Sequence, residues 1–442
     1  HNLAAGVRAV EEEPPALGHE LAHDIIGQRS RARRRPSLGD RCEAALVPGR
    51  HPQNQVGESQ VRNQRPVGDK RPQVIAVLGS QITAIGEQPS SVNHVVRVRR
   101  NRRNRACDHR CMASDPSERT ADLIRRDATS VWHPFTQQSM WLADDPIMVD
   151  RAQGMYFWDT DGNRYLDGVS SLWVNVHGHA VPQINDAITR QLQQLDHVTY
   201  LGLGHEPGVV LAEKLLATAP VQLTRAFFAG DGSSAVEAAI KMAYQAQAQR
   251  GEDRPYFAHI AQGYHGDTLG AVSVGGIDLF HSTYRPILLE TRMVSSPGVL
   301  AEGQTREQRA SQVLAEFAEL LQREGDRICA VVIEPLVQGA GGMLTHHVSF
   351  VSGLRKLCDE FGVLMIADEV ATGIGRTGTM WAVEQVGVSP DLMTCGKGLT
   401  GGYLPLSAVL ATEEVYQAFL GTPEQSRTFF HGHSYTANPI CA

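Results

Sequence analysis

Along residues 128–442, stretches with helical periodicity alternate with short, continuous apolar runs. In five stretches apolar residues recur every three or four positions, which predicts amphipathic helices: residues 181–195, 208–220, 233–249, 305–324 and 349–362. Apolar runs of strand length occupy four others: residues 225–230, 254–260, 328–336 and 363–370. This alternation predicts an α/β fold in which helices flank a mostly parallel central sheet.

Residues 154–170, with the sequence GMYFWDTDGNRYLDGVS, instead alternate apolar and polar positions around Asp161 and Gly162. An Asp-Gly pair between two alternating segments is a strong signal for a tight turn that joins antiparallel strands. We therefore predict a β-hairpin here.

The first 111 residues differ in composition from the rest. They hold 19 basic and 11 acidic residues, a net charge of +8, whereas the remaining chain carries −15 and the whole chain −7. Only residues 72–86 have the pattern of a strand, so too little apolar surface is available to offset the ordering entropy. We expect a basic extension of low order over residues 1–111. The favoured interpretation is non-native upstream sequence with the natural start at Met112; a disordered tail or a nucleic-acid-binding arm are the alternatives.

Composition and cysteine usage narrow the class of protein. The net charge argues against nucleic acid as the main partner, and no run of 18 apolar residues predicts a membrane span. The seven cysteines are scattered, as is typical of reduced thiols, so we expect a cytoplasmic protein. Cys107, His109 and Cys111 lack a second pair of ligands, so we expect no metal site.

Ligands of parallel sheets bind beyond the C-terminal ends of the strands. Side chains that could bind a ligand or take part in a reaction follow the first two predicted strands. Residues 231–234, Asp-Gly-Ser-Ser, open a helix. There the serines either cap the helix or, with the free N–H groups, hold an anion such as phosphate. Tyr264, His265 and Asp267 follow the second strand among glycines, where an aromatic ring either stacks on a planar ligand or packs ordinarily.

Carboxylates follow the other two strands. Glu334 ends the third apolar run, with the amide of Gln338 beyond it, and Asp368 follows the five apolar residues of the fourth. A carboxylate buried at a strand tip needs a cation nearby, because its desolvation is costly. The GIGRTG motif at residues 373–378 does not run from a strand directly into a helix, so we do not expect it to bind a dinucleotide.

Lys397 differs in context from the other four lysines of the chain. Lys70 lies in the basic extension, and the other three lie on predicted helices, where a solvated lysine is routine: Lys214, Lys241 and Lys356. Lys397 lies in the glycine-rich turn TCGKGLTGG, after the apolar run at residues 390–394. Partial desolvation in such a turn lowers the pKa of the amine and makes it available for chemistry.

Together these side chains match the requirements of pyridoxal 5'-phosphate. A helix N-terminus with serines accepts a phosphate, Asp368 balances a cationic ring nitrogen, and Tyr264 stacks on the ring. Lys397 forms a Schiff base with the aldehyde and, once displaced, is the natural base for the substrate proton.

Five sequence blocks resemble signature blocks of the class III, fold-type I aminotransferases: GYHGDT, IEPLVQGAGGM, IADEVATGIGRTG, CGKGLTGG and HGHSYTANP. The resemblance covers residues 125–442 and implies an obligatory homodimer that uses pyridoxal phosphate. It also implies that residues 181–442 form the large cofactor-binding domain and residues 112–180 the N-terminal part of a smaller α+β domain. Because the family continues past residue 442, we expect the small domain, and the arginine that binds the substrate carboxylate, to be incomplete or absent here.

The resemblance assigns roles to individual residues. Lys397 is the Schiff-base lysine, Asp368 is the partner of the pyridinium nitrogen, and Tyr264 stacks on the ring. The residues implied to contact the phosphate are Gly232, Ser233, Ser234 and, from the neighbouring subunit, Ser434. Those implied to line the substrate pocket are Trp173, Phe135 and Asp267.

The blocks VWHPFTQ, SSLWVNVHGH and YLGLGHEPG most resemble family members of biotin synthesis. Those enzymes convert 8-amino-7-oxononanoate to 7,8-diaminononanoate with S-adenosylmethionine as the amino donor. Many of them have Tyr in place of Phe135 and a second Trp in place of Leu172, so lysine remains an alternative donor. Further alternatives are an ω-amino acid:pyruvate aminotransferase and, outside the enzyme class, an inactive fragment with a nucleic-acid-binding tail.

Overall fold

The structure, a computed structural model, describes residues 96–97, 116–141, 143 and 146–442. Apart from residues 96–97, the basic extension lies outside the described residues, and so do the predicted strand at 72–86 and the cysteines at 107 and 111. The proposed boundary at residue 180 between two domains stays a prediction.

A small antiparallel sheet contains the predicted hairpin. Its strands are β1 (Val96–Arg97), β2 (Val149–Gln153), β3 (Tyr156–Asp159) and β4 (Arg164–Leu166). They lie in the order β1-β4-β3-β2, and β3 pairs with β4 across the Asp161-Gly162 turn. Gly162 has a φ of 80°, a left-handed conformation that glycine adopts without steric cost, and this explains the tight turn. The hairpin prediction is confirmed.

A seven-stranded sheet forms the centre of the larger part. Its strands are β5 (Leu223–Ala229), β6 (Tyr256–Ile260), β7 (Thr291–Val294), β8 (Ile328–Ile333), β11 (Leu364–Asp368), β12 (Leu392–Cys395) and β13 (Ser407–Thr412), while β9 (Val337–Gln338) and β10 (Leu344–Thr345) form a separate ribbon. The order is β5-β13-β12-β11-β8-β6-β7. Only β13 runs antiparallel to its neighbours, so the prediction of a mostly parallel sheet is confirmed.

The five predicted helices are present, and shorter ones accompany them. The helices are α1 (Pro116–Ser130), α2 (Ser170–Trp173), α3 (Pro182–Gln194), α4 (Glu206–Thr218), α5 (Gly232–Gln249), α6 (Leu269–Ser273), α7 (Asp278–His281), α8 (Arg306–Glu324), α9 (Val348–Phe361) and α10 (Glu413–Gln417). No sequence pattern predicted α1, β7, β13 or the helices of four or five residues. None of the helices in the described ranges combines the length and hydropathy that a membrane span requires.

Helices cover both faces of the large sheet, and alternate residues of each strand enter different cores. On β8, Ala330 and Val332 pack in the cluster that contains α5, whereas Val331 and Ile333 pack in the cluster that contains α8 and α9. All six residues of β8 are buried. A strand buried on both faces reads as a continuous apolar run, which is why the sequence revealed it.

Substitution of Phe317 on α8 can test the core that contains α8 and α9. Its side chain is fully buried and packs 6.2 Å, between ring centroids, from Phe350 of α9. We expect Phe317→Ala to lower the free energy of unfolding by about 3–5 kcal/mol, because it removes apolar contacts and leaves a cavity. Urea unfolding measures the loss. The exposed Leu279 is the control, since Leu279→Ala should change stability by about 0.5 kcal/mol or less. Equal losses in the two variants would contradict the assignment of this core.

Candidate active site

A cavity of about 300 Å³ lies at the C-terminal edge of the parallel strands. Residues that follow five strands (β5, β6, β8, β11 and β12) line it together, although they are separated by up to 166 positions in the chain. The lining residues are Trp173, Asp231, Gly232, Ser233, Tyr264, His265, Gly266, Glu334, Asp368, Val370, Ala371 and Lys397. Because parallel strands end at the same edge, their following residues converge there.

The N-terminus of α5 forms one wall of the cavity. Asp231 is the residue that caps the helix, in place of the serines: its Oδ1 accepts from the Ser234 N–H at 3.0 Å, and its Oδ2 accepts from the Ser234 hydroxyl at 3.0 Å. The serine-cap interpretation is therefore wrong, because Asp231 is the residue with extended backbone one position before the helix. Ser233 remains on the cavity wall, and its Oγ accepts from the Asp267 N–H at 3.1 Å.

Gly232 lets this wall approach its neighbour closely. A methyl group in place of its hydrogen would lie 2.8 Å from Cγ1 of Val370. The first N–H groups of a helix have no partner within the helix and attract anions. The N-terminus of α5 thus offers an anion site next to the rest of the cavity.

Asp368 forms the most heavily bonded carboxylate of the cavity. Its Oδ2 accepts from Nδ1 of His265 at 2.7 Å, and its Oδ1 accepts from the Thr394 hydroxyl at 2.9 Å and the Val370 N–H at 3.0 Å. Both Asp368 and His265 are 3% exposed. Burial by itself lowers the pKa of His265, but the hydrogen bond and negative charge of Asp368 outweigh it and raise that pKa. The pair therefore favours a charged imidazole beside the carboxylate.

Glu334 is a second buried acid on the cavity wall. Its carboxylate accepts from the N–H groups of Tyr264 at 3.0 Å and Gly339 at 2.8 Å, so it ties together two loops that border the cavity. Burial raises the pKa of Glu334 to about 7. Gln338 does not line the cavity, because its amide bonds to the Ser296 hydroxyl and the Ala261 carbonyl.

Tyr264 begins a line of aromatic rings that leads out of the cavity. Its hydroxyl donates to Oδ2 of Asp267 at 2.9 Å, and its ring packs edge-on against Phe280 at 6.2 Å. Phe280 in turn packs edge-on against Phe135 at 5.4 Å. Phe135 is 67% exposed and, like Asp267, lies beyond the cavity lining. Sequence reasoning missed Phe280, since a Phe on a four-residue helix carries no periodic signal.

Lys397 follows β12 and projects into the same cavity. Its φ of 44° is left-handed, a conformation that costs a residue other than glycine about 1–2 kcal/mol. Burial lowers the pKa of the amine, and Arg376 adds to this, whereas Asp368 and Glu334 oppose it. Nζ lies 5.0 Å from the centroid of the Trp173 ring. The result is a partly desolvated amine between an aromatic ring and two carboxylates.

The helix α2, which carries Trp173, is left-handed. Its four residues have φ values of 53°, 47°, 69° and 67°, and none is glycine. Each such residue costs about 1–2 kcal/mol, so contacts around the turn have to hold it in place. Backbone strain of this kind is typical of functional sites, and here the last of the four residues, Trp173, lines the cavity.

Ser434 lies outside the cavity in this chain. It is exposed on the turn at residues 433–436, where the Thr436 hydroxyl accepts from the His433 N–H at 3.0 Å. The segment before this turn runs along α5: Gln245 donates to the Thr428 carbonyl at 3.1 Å, and Lys241 approaches Nδ1 of His431 to 3.1 Å. Exposure leaves the Ser434 hydroxyl free to meet a second molecule.

Known proteins resemble this chain over the same region. Residues 139–442 match the aminotransferase class-III family. A relative from Nitratidesulfovibrio vulgaris, named adenosylmethionine-8-amino-7-oxononanoate aminotransferase, is 50% identical over 338 residues, which is 75% of this chain and 62% of the relative. The matched region is therefore less than two thirds of that relative's length.

Solved structures agree with this match. The adenosylmethionine-8-amino-7-oxononanoate aminotransferase from Methanocaldococcus jannaschii is 39% identical, with a TM-score of 0.68 over 73% of this chain and 72% of its own. An amine transaminase from an uncultivated Pseudomonas species, solved in a form with bound PLP, is 33% identical, with a TM-score of 0.67 over 71% of this chain and 72% of its own.

The environment of Lys397 predicts an amine that reacts at unusually low pH. Because burial lowers its pKa, we expect reductive methylation of Lys397 to reach half its maximal rate at a lower pH than for Nα-acetyl-lysine. Asp368→Asn should move this midpoint lower still, since the Asp368 charge raises the pKa. Peptide mass spectrometry across a pH series measures both. A midpoint equal to that of Nα-acetyl-lysine would show that the pKa of Lys397 is not lowered in this cavity.

Proposed function

Because the chain belongs to the class-III aminotransferase family, we propose that it is a pyridoxal-phosphate-dependent enzyme of biotin synthesis. The proposed reaction transfers an amino group from S-adenosylmethionine to 8-amino-7-oxononanoate and yields 7,8-diaminononanoate. Relatives with this name, at 50% and 39% identity, support the substrate pair. The observation that carries the proposal is the partly desolvated Lys397 amine in one cavity with Asp368, Tyr264 and the N-terminus of α5.

The residues around the cavity fit pyridoxal phosphate. Gly232 and Ser233 at the start of α5 line the cavity, and the first N–H groups of a helix have no partner within it, so they can bind the phosphate. Asp368 supplies a buried carboxylate for a cationic ring nitrogen, and Tyr264 supplies a ring on the cavity wall. The proposed contacts to the phosphate are Gly232, Ser233 and Ser234; Ser234 already donates its hydroxyl to Asp231, so its own contribution is a supporting one.

When bound, pyridoxal phosphate supplies an electron sink for the substrate carbon that loses its proton. Lys397 would hold the cofactor covalently through Nζ. A lowered pKa keeps a larger share of this amine neutral, so Nζ can accept the substrate proton and return it. Asp368 would keep the ring nitrogen protonated, and His265, Thr394 and Val370 hold that carboxylate in place.

Three residues are proposed to shape the substrate pocket. Trp173 lies next to Lys397. Asp267 accepts a hydrogen bond from the Tyr264 hydroxyl, and Phe135 packs against Phe280, which in turn packs against Tyr264. Leu172 is 65% exposed beside Trp173. Many relatives that use S-adenosylmethionine have Tyr and Trp at the positions of Phe135 and Leu172. Lysine is therefore the alternative amino donor for the same reaction.

A homodimer is the proposed assembly. Ser434 is exposed and lies outside the cavity of its own chain, next to the exposed aromatic side chains of Phe430 and Tyr435, which are 81% and 66% accessible. Exposed aromatic residues beside a free hydroxyl suit an interface with a second copy. Ser434 would then contact the phosphate held by the other subunit.

A cytoplasmic location also remains a proposal.

Binding of pyridoxal phosphate gives a direct test of the site. We expect the purified chain to develop a visible absorbance band with added cofactor, and Lys397→Ala to abolish it because the covalent attachment is lost. Lys356→Ala, on an exposed helix face, is the matched control and should keep the band. Absence of the band in the unaltered chain, or its persistence in Lys397→Ala, would contradict the proposal.

Asp368→Asn separates binding from catalysis. The amide keeps the size of the side chain but cannot hold the ring nitrogen protonated, so turnover should fall by at least about 100-fold. Cofactor affinity, measured by absorbance titration, should fall much less. Full turnover in Asp368→Asn would mean that this carboxylate is not the partner of the ring nitrogen.

The amino donor is decided by comparing S-adenosylmethionine, lysine and alanine with 8-amino-7-oxononanoate as the common acceptor. We expect 7,8-diaminononanoate, detected by mass spectrometry, with S-adenosylmethionine. Product with lysine alone would identify the lysine-dependent version of the reaction. Transfer from alanine alone would overturn the assignment to biotin synthesis and favour an ω-amino acid:pyruvate aminotransferase.

A further inference from the structure

The left-handed helix α2 is positioned at the cavity but is not favoured by its own sequence. Ser170, Ser171, Leu172 and Trp173 all have positive φ, and none is a glycine, the residue that reaches this conformation without steric cost. Leu172 is 65% exposed and so gains little from burial. Something outside the turn has to stabilise it.

Asp167 supplies the strongest contacts to this turn. Its Oδ1 accepts from the Ser171 N–H at 2.8 Å, and its Oδ2 accepts from the Ser171 hydroxyl at 2.7 Å. The same Oδ2 accepts from Nε2 of His179 at 2.9 Å. The Asp167 side chain is only 8% exposed, whereas Ser171, which donates two of these bonds, is exposed.

The other ends of this network are fixed in the small sheet. Asp167 follows β4 directly, and its N–H donates to the Met155 carbonyl at 2.9 Å. His179 exchanges two backbone hydrogen bonds with Gly154, at 3.0 and 2.8 Å. The carboxylate therefore connects α2 to a rigid anchor on each side.

We propose that Asp167 is a positioning residue, which holds α2 in its left-handed conformation and thereby sets the Trp173 ring against the Lys397 amine. The indole ring lies between two fixed points. Nζ of Lys397 is 5.0 Å from its centroid, and a methyl group at Gly339 would come within 3.2 Å of its Cζ3 atom. If α2 relaxes, Trp173 cannot keep both contacts, and the wall of the cavity moves.

The position of Trp173 can be measured without cofactor or substrate. Incorporation of 5-fluorotryptophan gives one fluorine resonance for each of the five tryptophans, and Trp173→Phe assigns that of Trp173. We expect Asp167→Ala to shift or broaden the Trp173 resonance and to leave that of the fully buried Trp381 unchanged. Asp167→Asn keeps one acceptor oxygen and should give a smaller change, which preserves the test if Asp167→Ala does not fold.

A glycine inside the turn should partly restore the position of Trp173 in Asp167→Ala. Leu172→Gly lowers the cost of positive φ without touching the cavity lining, so in Asp167→Ala/Leu172→Gly the Trp173 resonance should return toward its original position. Asp150→Ala removes an exposed carboxylate that pairs with Arg119 and should leave the resonance in place. An unchanged Trp173 resonance in both Asp167 variants would overturn the proposal, and so would a change that Leu172→Gly fails to reduce.

The kinetic consequence rests on the proposed aminotransferase function. In an active enzyme, Asp167→Ala should lower kcat/KM for amino transfer by about 100-fold, since small misplacements near the reacting groups have effects of this size. In a Trp173→Ala background the further loss should vanish, because Asp167 acts through Trp173. If the unaltered chain transfers no amino group, the proposed function fails while the fluorine result still decides the role of Asp167. If Asp167→Ala lowered kcat/KM by the same factor in the Trp173→Ala background, the role of Asp167 as a positioning residue for Trp173 would be overturned.

Discussion

The hydrogen bonds to the buried carboxylate of Asp368 hold the cavity together. Asp368 ends β11, and its oxygens accept from His265 after β6, from Thr394 on β12 and from the N–H of Val370. A buried carboxylate without such partners costs several kcal/mol, so loss of a partner would destabilise the site. The loop that carries Tyr264 and the strand that leads to Lys397 are positioned as a consequence.

The charges around Asp368 also determine the state of the amine. Burial favours a neutral Lys397, whereas the two nearby acids, Asp368 and Glu334, favour its charged form. Arg376 also lowers the pKa of this amine, and burial raises the pKa of Glu334 to about 7. The balance leaves Lys397 with a lowered pKa, which supports the proposed role of its amine as a proton acceptor.

Two residues with strained backbone line the cavity in which this chemistry is proposed to occur. Lys397 and Trp173 both have positive φ, and Trp173 ends the left-handed helix α2, whose other three residues also have positive φ. The surrounding hydrogen bonds, such as those of Asp167 to Ser171, compensate for the unfavourable backbone. By the role proposed for Asp167, this strained turn sets the ring of Trp173 at its separation of 5.0 Å from the amine of Lys397.

The main helices, four of the strands of the large sheet and the chemical groups that follow those strands could be predicted from the sequence. Apolar runs predicted β5, β6, β8 and β11, most clearly β8 and β11, in which every residue is buried, and Lys397 was recognisable from its glycine-rich turn. Tertiary structure alone decided which groups meet. The bond between His265 and Asp368 joins positions 103 apart, and the left-handed turn before Trp173 contains no glycine that would announce it. Local periodicity reports burial along one segment, whereas partners and strained backbone depend on contacts between segments.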